Sequence, residues 1–176
     1  MWRGGAVRWR AEISYKPDVF DAVGHILKQD IADLGIKGVE EVRTGQIYWL
    51  EGDLPEEEAR RICEELLADP ITQTYKLYPA DKPPERVPGA WTVEVRYKPG
   101  VTDSVGDSVV KGARDMGINS LKRARSGQKY VIRGDLSREQ VETICRRLLY
   151  NEVIQDYELF PPLPDGDPPG RSAPDR

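Results

Sequence analysis

Apolar and polar residues alternate with period two at Trp9, Ala11, Ile13 and Tyr15, and again at Trp91, Val93, Val95 and Tyr97. Arg10, Glu12, Ser14 and Thr92, Glu94, Arg96 stand between them, so each run predicts a strand with one buried face. Tyr-Lys-Pro ends both strands, because proline cannot donate to a ladder. A helix is predicted next, over 21–34 and 103–116, with Asp21 and Asp103 placed as N-caps and Gly35 and Gly117 as C′ stops. Strand-like runs then flank a glycine, 39–44 and 46–51, repeated as 121–126 and 128–133. That pattern predicts a hairpin turning at Gly45 and Gly127. Gly52-Asp53-Leu54 and Gly134-Asp135-Leu136 lead into a second helix, 55–68 and 137–150, with Pro55 suited to its first turn and Ser137 to a cap. A last strand carries Ile71, Tyr75 and Leu77, and again Val153, Tyr157 and Leu159.

The two series of elements are one series written twice. Residues 91–161 overlay 9–79 without a gap, and 28 of the 71 positions are identical. Fixed-period similarity of this kind sets the architecture before any single residue does. The expected fold class is α+β: two tandem β-α-β-β-α-β modules, each a ferredoxin-like two-layer sandwich, packed as a pseudo-dimer through their sheets. The first module spans 1–79 and the second 91–161, joined by a stiff linker at 80–90 that contains Pro83, Pro84, Pro88 and Gly89. The tail, 162–176, is rich in Pro, Gly and Asp and is expected to be disordered. Modules this small bury modest cores, and Tyr48, Trp49 and Tyr130 are too apolar for a bare sheet face, so the sheets are expected to pair.

Composition narrows the function classes. A net charge of −4 gives no footprint for nucleic acid or an anionic membrane. No apolar run approaches the ~20 residues of a spanning helix, and the charged N-terminus lacks the apolar core of a secretory signal. Cys63 and Cys145 hold the same place in the two repeats, just before a Leu-Leu pair, and read as buried helix residues suited to a reducing cytoplasm.

The copies differ in charge. Within the matched spans repeat one has 8 Lys/Arg against 15 Asp/Glu, a net of −7, and repeat two has 12 against 10, a net of +2. Sign is reversed at eight equivalent positions, among them Glu40/Lys122 and Glu41/Arg123. Duplication frees a two-fold interface from meeting its own charge, so these four residues are candidates for contacts between the repeats or toward a partner. The alternative is independent drift of solvated faces.

Candidate chemistry is sparse. His25 is the only histidine, and its counterpart is Asp107, so it reads as a helix-surface residue rather than a base. No Cys-x-x-Cys, His-x-x-x-His or Asp-rich loop suggests a metal, and no glycine-rich phosphate loop suggests a nucleotide. Asp53 and Asp135 read as turn and cap residues. The third predicted strand lacks the aromatic core of the RNA-binding version of this fold. The chain is therefore expected to have no catalytic residues, cofactor or metal of its own.

Taken in order, the recurring signatures resemble PurS, the small subunit of three-component phosphoribosylformylglycinamidine synthase. The family pattern Val-x-Val-x-x-x-Lys-Pro-Gly-Val-x-Asp-x-x-Gly is matched from Val93 through Lys98-Pro99-Gly100-Val101 and Asp103 to Gly106. Repeat one offers Lys16-Pro17-Asp18-Val19, Asp21 and Gly24. The Leu-Gly and Val-Arg-x-Gly-Lys pattern is similar to Leu34-Gly35 with Val42-Arg43-Thr44-Gly45-Gln46, and to Met116-Gly117 with Ala124-Arg125-Ser126-Gly127-Gln128. The closing Leu-Leu-x-Asn-Pro-Val-Ile pattern is similar to residues 66–71 and 148–154.

The resemblance implies a non-catalytic role: a dimeric small subunit that bridges a glutaminase and an ATP-using synthetase, so that glutamine-derived ammonia reaches the synthetase in purine synthesis. Arg43, Gly45, Gln46, Arg125, Gly127 and Gln128 become the candidate partner contacts, the alternative being ordinary exposed hairpin residues. The chain departs from the family pattern in its duplication, in glutamine for the hairpin lysine at 46 and 128, and in Asp18 for glycine. Those glutamines put any anion-directed role of that lysine in doubt. A competing reading is a tandem ACT-like sensor of small molecules, whose ligand loop would be the crowded Lys-Pro-Asp/Gly-Val segment.

Overall fold

The computed structural model describes residues 7–164. Twelve-residue helices α1 (Ala22–Asp33) and α3 (Ser104–Asp115) follow strands β1 (Val7–Tyr15) and β4 (Ala90–Tyr97). Strand β2 (Val39–Glu51) and strand β5 (Arg123–Gly134) come next, then short helices α2 (Glu56–Ile62) and α4 (Arg138–Ile144). The short helices widen into π-helical turns, Cys63–Leu67 and Cys145–Leu149, before β3 (Gln73–Pro79) and β6 (Gln155–Phe160). The class is α+β, as the periodicity requires.

The caps fall where the sequence put them. Asp21 and Asp103 accept the N–H of Gly24 and Gly106, and Ser137 forms a capping box with Gln140. Gly35 and Gly117 follow their helices with φ of 85° and 83°.

The hairpin is where the chain departs from its pattern. Residues 39–51 run as one strand of 13 residues, and Gly45 lies inside it, opposite Ser14 of β1. Gly45 does not have the positive φ a tight turn needs. It is required for space instead: a Cβ there would sit 2.8 Å from the carbonyl oxygen of Ile13. β5 is likewise unbroken through Gly127.

The long strands change how the modules are built. The described residues form two compact units, one from 7–20, 45–82 and 97–127, the other from 21–44, 83–96 and 128–164. In the first unit the strand order is β3-β1-β2-β5, with β1 antiparallel to both neighbours. Its β2–β5 edge is closed by the N–H of Lys122 donating to the carbonyl of Glu51 at 2.8 Å. Its core mixes the repeats: Ala11, Ile13, Leu50 and Ile62 from the first pack with Val109, Ala113, Ile118 and Leu121 from the second. The second unit, ordered β2-β5-β4-β6, does the converse, with Ile31 and Val42 among Val93, Val95, Ile132 and Ile144. The fourth strand and one helix of each four-stranded unit are thus supplied by the other repeat.

Three expectations shift with this layout. Tyr48 is 6% exposed and belongs to the first core, because its register partner Ala11 points the same way. The polar face of β1 and β4 is covered as well: Arg10, Glu12, Thr92 and Glu94 are all buried, and Arg10 lies 3.4 Å from Glu12 and over the ring of Trp49. The segment expected to be a linker is part of the second unit, where Arg86 donates to the carbonyls of Pro161 and Pro162 and the N–H of Leu163 reaches Val87. Leu163 is 4% exposed, so the chain is packed to at least that point, while 165–176 of the expected tail lies outside the described residues.

Candidate functional site

Two buried carboxylates organise the strands that carry the candidate residues. In the second unit Asp21 accepts the N–H of Gly24 at 2.8 Å and the N–H of Thr44 at 2.6 Å, with Thr44 Oγ1 within 3.0 Å of both its oxygens. In the first unit Asp103 receives Gly106, Ser126 and the Ser126 hydroxyl at 2.8, 2.6 and 2.8 Å. One carboxylate therefore caps a helix and fixes it to the middle of a long strand, at the same spacing of 23 residues in both repeats. The glycine three residues after it is compulsory, since a Cβ at Gly24 or Gly106 would meet the strand carbonyl of Val42 or Ala124 at 2.0 and 2.1 Å. Sequence reading found the caps and missed the strand contact. Its signal was a Thr or Ser recurring before the hairpin glycine.

The candidate residues sit on either side of these anchors. Arg43 and Arg125 are half-buried, Gly127 is buried, and Gln46 and Gln128 are exposed. Gln46 lies opposite Ile13, and its Oε1 accepts the Tyr48 hydroxyl at 2.8 Å. Glu40, Glu41, Lys122 and Arg123 are exposed. Arg123 Nε lies 3.8 Å from a carboxylate oxygen of buried Glu51, inside the first unit. It joins the two repeats, but with Arg123 mostly in solvent it is worth no more than about 1 kcal/mol.

The structure adds two features that the pattern did not single out. Between each π-turn and its last strand lies a tight turn. Asp69 Oδ1 accepts the N–H of Ile71 and Gln73 Oε1 that of Asp69, both at 2.8 Å. The other copy repeats this with Asn151, Val153 and Gln155 at 3.0 and 2.8 Å. Each turn holds out a branched apolar side chain, Ile71 at 80% and Val153 at 75% exposure. The first unit also has an open cleft of about 600 Å³ lined by Arg8, Gly52, Asp53, Ala80, Asp81 and Lys122. Equivalent residues in the second unit, Gly134 and Leu163, are tied down through Gly89 and Val87 instead.

None of this assembles a reactive group. Cys63 and Cys145 are free and fully buried, and burial pushes both thiols up to about 12, far from a nucleophilic thiolate at neutral pH. His25 is exposed on α1 beside Gln29. Among the described residues no cluster of three or more His, Cys, Asp or Glu could hold a metal, and no helix is long and apolar enough to cross a membrane.

The sequence matches the family model for PurS, phosphoribosylformylglycinamidine (FGAM) synthase, at 8–79 and again at 90–160. The phosphoribosylformylglycinamidine synthase subunit PurS of Methanocaldococcus jannaschii is 30% identical over 73 residues, which are 39% of this chain and 88% of that protein. The crystal structure of M. jannaschii PurS, described as one of the subunits of formylglycinamide ribonucleotide amidotransferase in the purine biosynthetic pathway, aligns at 28% identity with a TM-score of 0.33. It covers 40% of this chain and 92% of that one.

Proposed function

Because the chain belongs to the PurS family, twice over along its length, we propose that it is the non-catalytic small subunit of phosphoribosylformylglycinamidine synthase in purine biosynthesis. In this reading it joins the glutaminase and synthetase subunits, so that ammonia released from glutamine reaches the synthetase. The partner contacts are the strand segments Arg43–Gln46 and Arg125–Gln128, held by the Asp21 and Asp103 anchors. Glu40, Glu41, Lys122 and Arg123 set the orientation of what docks there.

The observation that carries the reading is the paired anchor. The Asp-x-x-Gly of the family pattern does the same mechanical work in both repeats, although fewer than half of their positions are identical. What has been kept is a scaffold that presents two like surfaces. Joining both copies in one chain fixes their ratio and removes the entropic cost of bringing them together. Free buried thiols agree with a cytoplasmic setting.

Purified glutaminase and synthetase subunits, assayed with and without this chain, test the proposal. The chain should restore glutamine-dependent synthesis of the formylglycinamidine and leave ammonia-dependent synthesis nearly unchanged. If neither rate moves and no complex forms on a sizing column, the subunit role is wrong.

A further inference from the structure

Four of the eight sign reversals between the repeats fall on the short helices and their π-turns. They are Glu56/Arg138, Arg60/Glu142, Glu64/Arg146 and Glu65/Arg147. None falls on α1 or α3, although both have exposed faces, so the reversals are not scattered as drift would scatter them. Glu142 is half-buried and the other seven residues are exposed. Taken at every fourth residue, 56, 60 and 64 run acid, base, acid, whereas 138, 142 and 146 run base, acid, base. Each stripe keeps an internal ion pair with its ends exchanged, Arg60 with Glu56 at 2.8 Å and Arg138 with Glu142 at 3.6 Å. That exchange cancels within the helix. The reversal at Glu64-Glu65 and Arg146-Arg147 does not, and it sets the sign of each segment. Five acids against two bases give 55–68 a net of −3, and three bases against two acids give 137–150 a net of +1.

Each stripe stands beside the edge of a sheet. The Tyr75 hydroxyl of β3 donates to Glu64 at 2.6 Å. Tyr157 of β6 packs edge-on against Tyr150, the residue after the second π-turn, with 4.7 Å between ring centres. β3 ends the strand order of the first unit and β6 that of the second, so among the described residues each has a neighbouring strand on one side only. Such an edge is a template for another strand, and the charges beside it select which strand. Two acidic rims repel, as do two basic ones, while an acidic rim and a basic rim match. We propose that two copies of this chain associate by laying β3 of one antiparallel to β6 of the other, with α2 beside α4. In that arrangement Glu56 faces Arg146 of the other copy, Arg60 faces Glu142, and Glu64 faces Arg138. Helices that each cover two strands about 4.8 Å apart stand about 10 Å apart across such a joint, the spacing of packed helices. A single module pairing by this rim would meet its own charges; duplication lifts that conflict and permits the reversals seen. This inference is independent of the subunit role.

Sedimentation equilibrium of the full chain over roughly 10 µM to 1 mM at low salt tests it. The mass should rise above 19.9 kDa and fall back toward that value as salt is added. Glu64→Arg/Glu65→Arg and Arg146→Glu/Arg147→Glu should each raise the dissociation constant about tenfold or more. Mixed one to one, these two variants should associate with each other, because the first keeps the basic rim and the second the acidic one. All four substitutions in one chain should also restore self-association, an outcome that misfolding of either variant could not produce. A parent chain that stays at 19.9 kDa throughout overturns the inference, and loss of glutaminase or synthetase binding by Glu64→Arg/Glu65→Arg would then assign the rim to that partner. Variants that associate as the parent does, or that fail to recover on mixing and in the fourfold exchange, overturn it equally.

Discussion

Asp103 is 8% exposed and receives donors from two different elements, the amino end of α3 and the middle of β5. Removing it strands the N–H groups of Gly106 and Ser126 where little water can reach them. Asp103→Ala should therefore destabilise the chain by about 2–4 kcal/mol in denaturant titrations, more than loss of an exposed cap. Asp103→Asn should fall between, because its amide offers an acceptor on one side and a donor where donors already point. Gly106→Ala should be at least as damaging as Asp103→Ala, since the Ala124 carbonyl 2.1 Å from the new Cβ belongs to a strand that cannot give way. A Gly106→Ala variant as stable as the parent would mean that α3 is not held against β5.

The two buried thiols give a second residue-scale prediction. Their pKa is raised to about 12 by burial, so the folded chain keeps its protons where the unfolded chain, near 9, has lost them. The unfolded state then binds fewer protons, and stability must fall as pH rises from about 9 toward 12, by about 1.4 kcal/mol per pH unit for each thiol. Burial also raises the phenols of Tyr48 and Tyr130, which steepens the same decline at its upper end. The double variant Cys63→Ala/Cys145→Ala isolates the thiols: its stability should drop less steeply over that window than the parent's, whatever its stability at neutral pH. Parallel curves would place the thiols in contact with water.

At the scale of elements, the caps and periods of β1, α1, α3 and α4 were legible because each rests on residues within one or two turns of one another. Asp21 reaches Gly24, and Ser137 reaches Gln140, without help from the rest of the chain. Gly45 was misleading for the same reason. A glycine between two strand-like runs looks the same whether it turns the chain or lets two backbones approach, and only Ile13 of the neighbouring strand decides. Hydrogen exchange distinguishes the two. The amides on either side of Gly45 should be protected as strongly as those of Leu50, whereas a hairpin apex would exchange quickly. Gly45→Ala should cost about 1–3 kcal/mol through its 2.8 Å approach to the Ile13 carbonyl, while at an open turn it would act mainly through φ.

For the whole molecule, the repeat was readable and the division into compact units was not. Period and capping specify elements, but which strand lies beside β2 depends on residues far apart in sequence, such as Glu51 and Lys122. Straightening the hairpin sends α1 and the first half of β2 into a unit built otherwise from repeat two. The consequence is that neither repeat contains a complete core: Ile13 and Leu50 need Val109 and Ile118, and Val93 and Ile132 need Ile31 and Val42. Placing a protease site between Lys82 and Pro83, where the units divide, puts this to work. The cleaved chain should stay folded, its fragments should co-elute at micromolar concentration, and its melting midpoint should become concentration-dependent, because joining the repeats no longer comes free. Glu51 with Arg123, and the net charges of −7 and +2, favour pairing of unlike fragments over like ones. Fragments that separate as two independently folded species would show that each repeat closes on its own helix after all, and that the shared cores are not what holds the chain together.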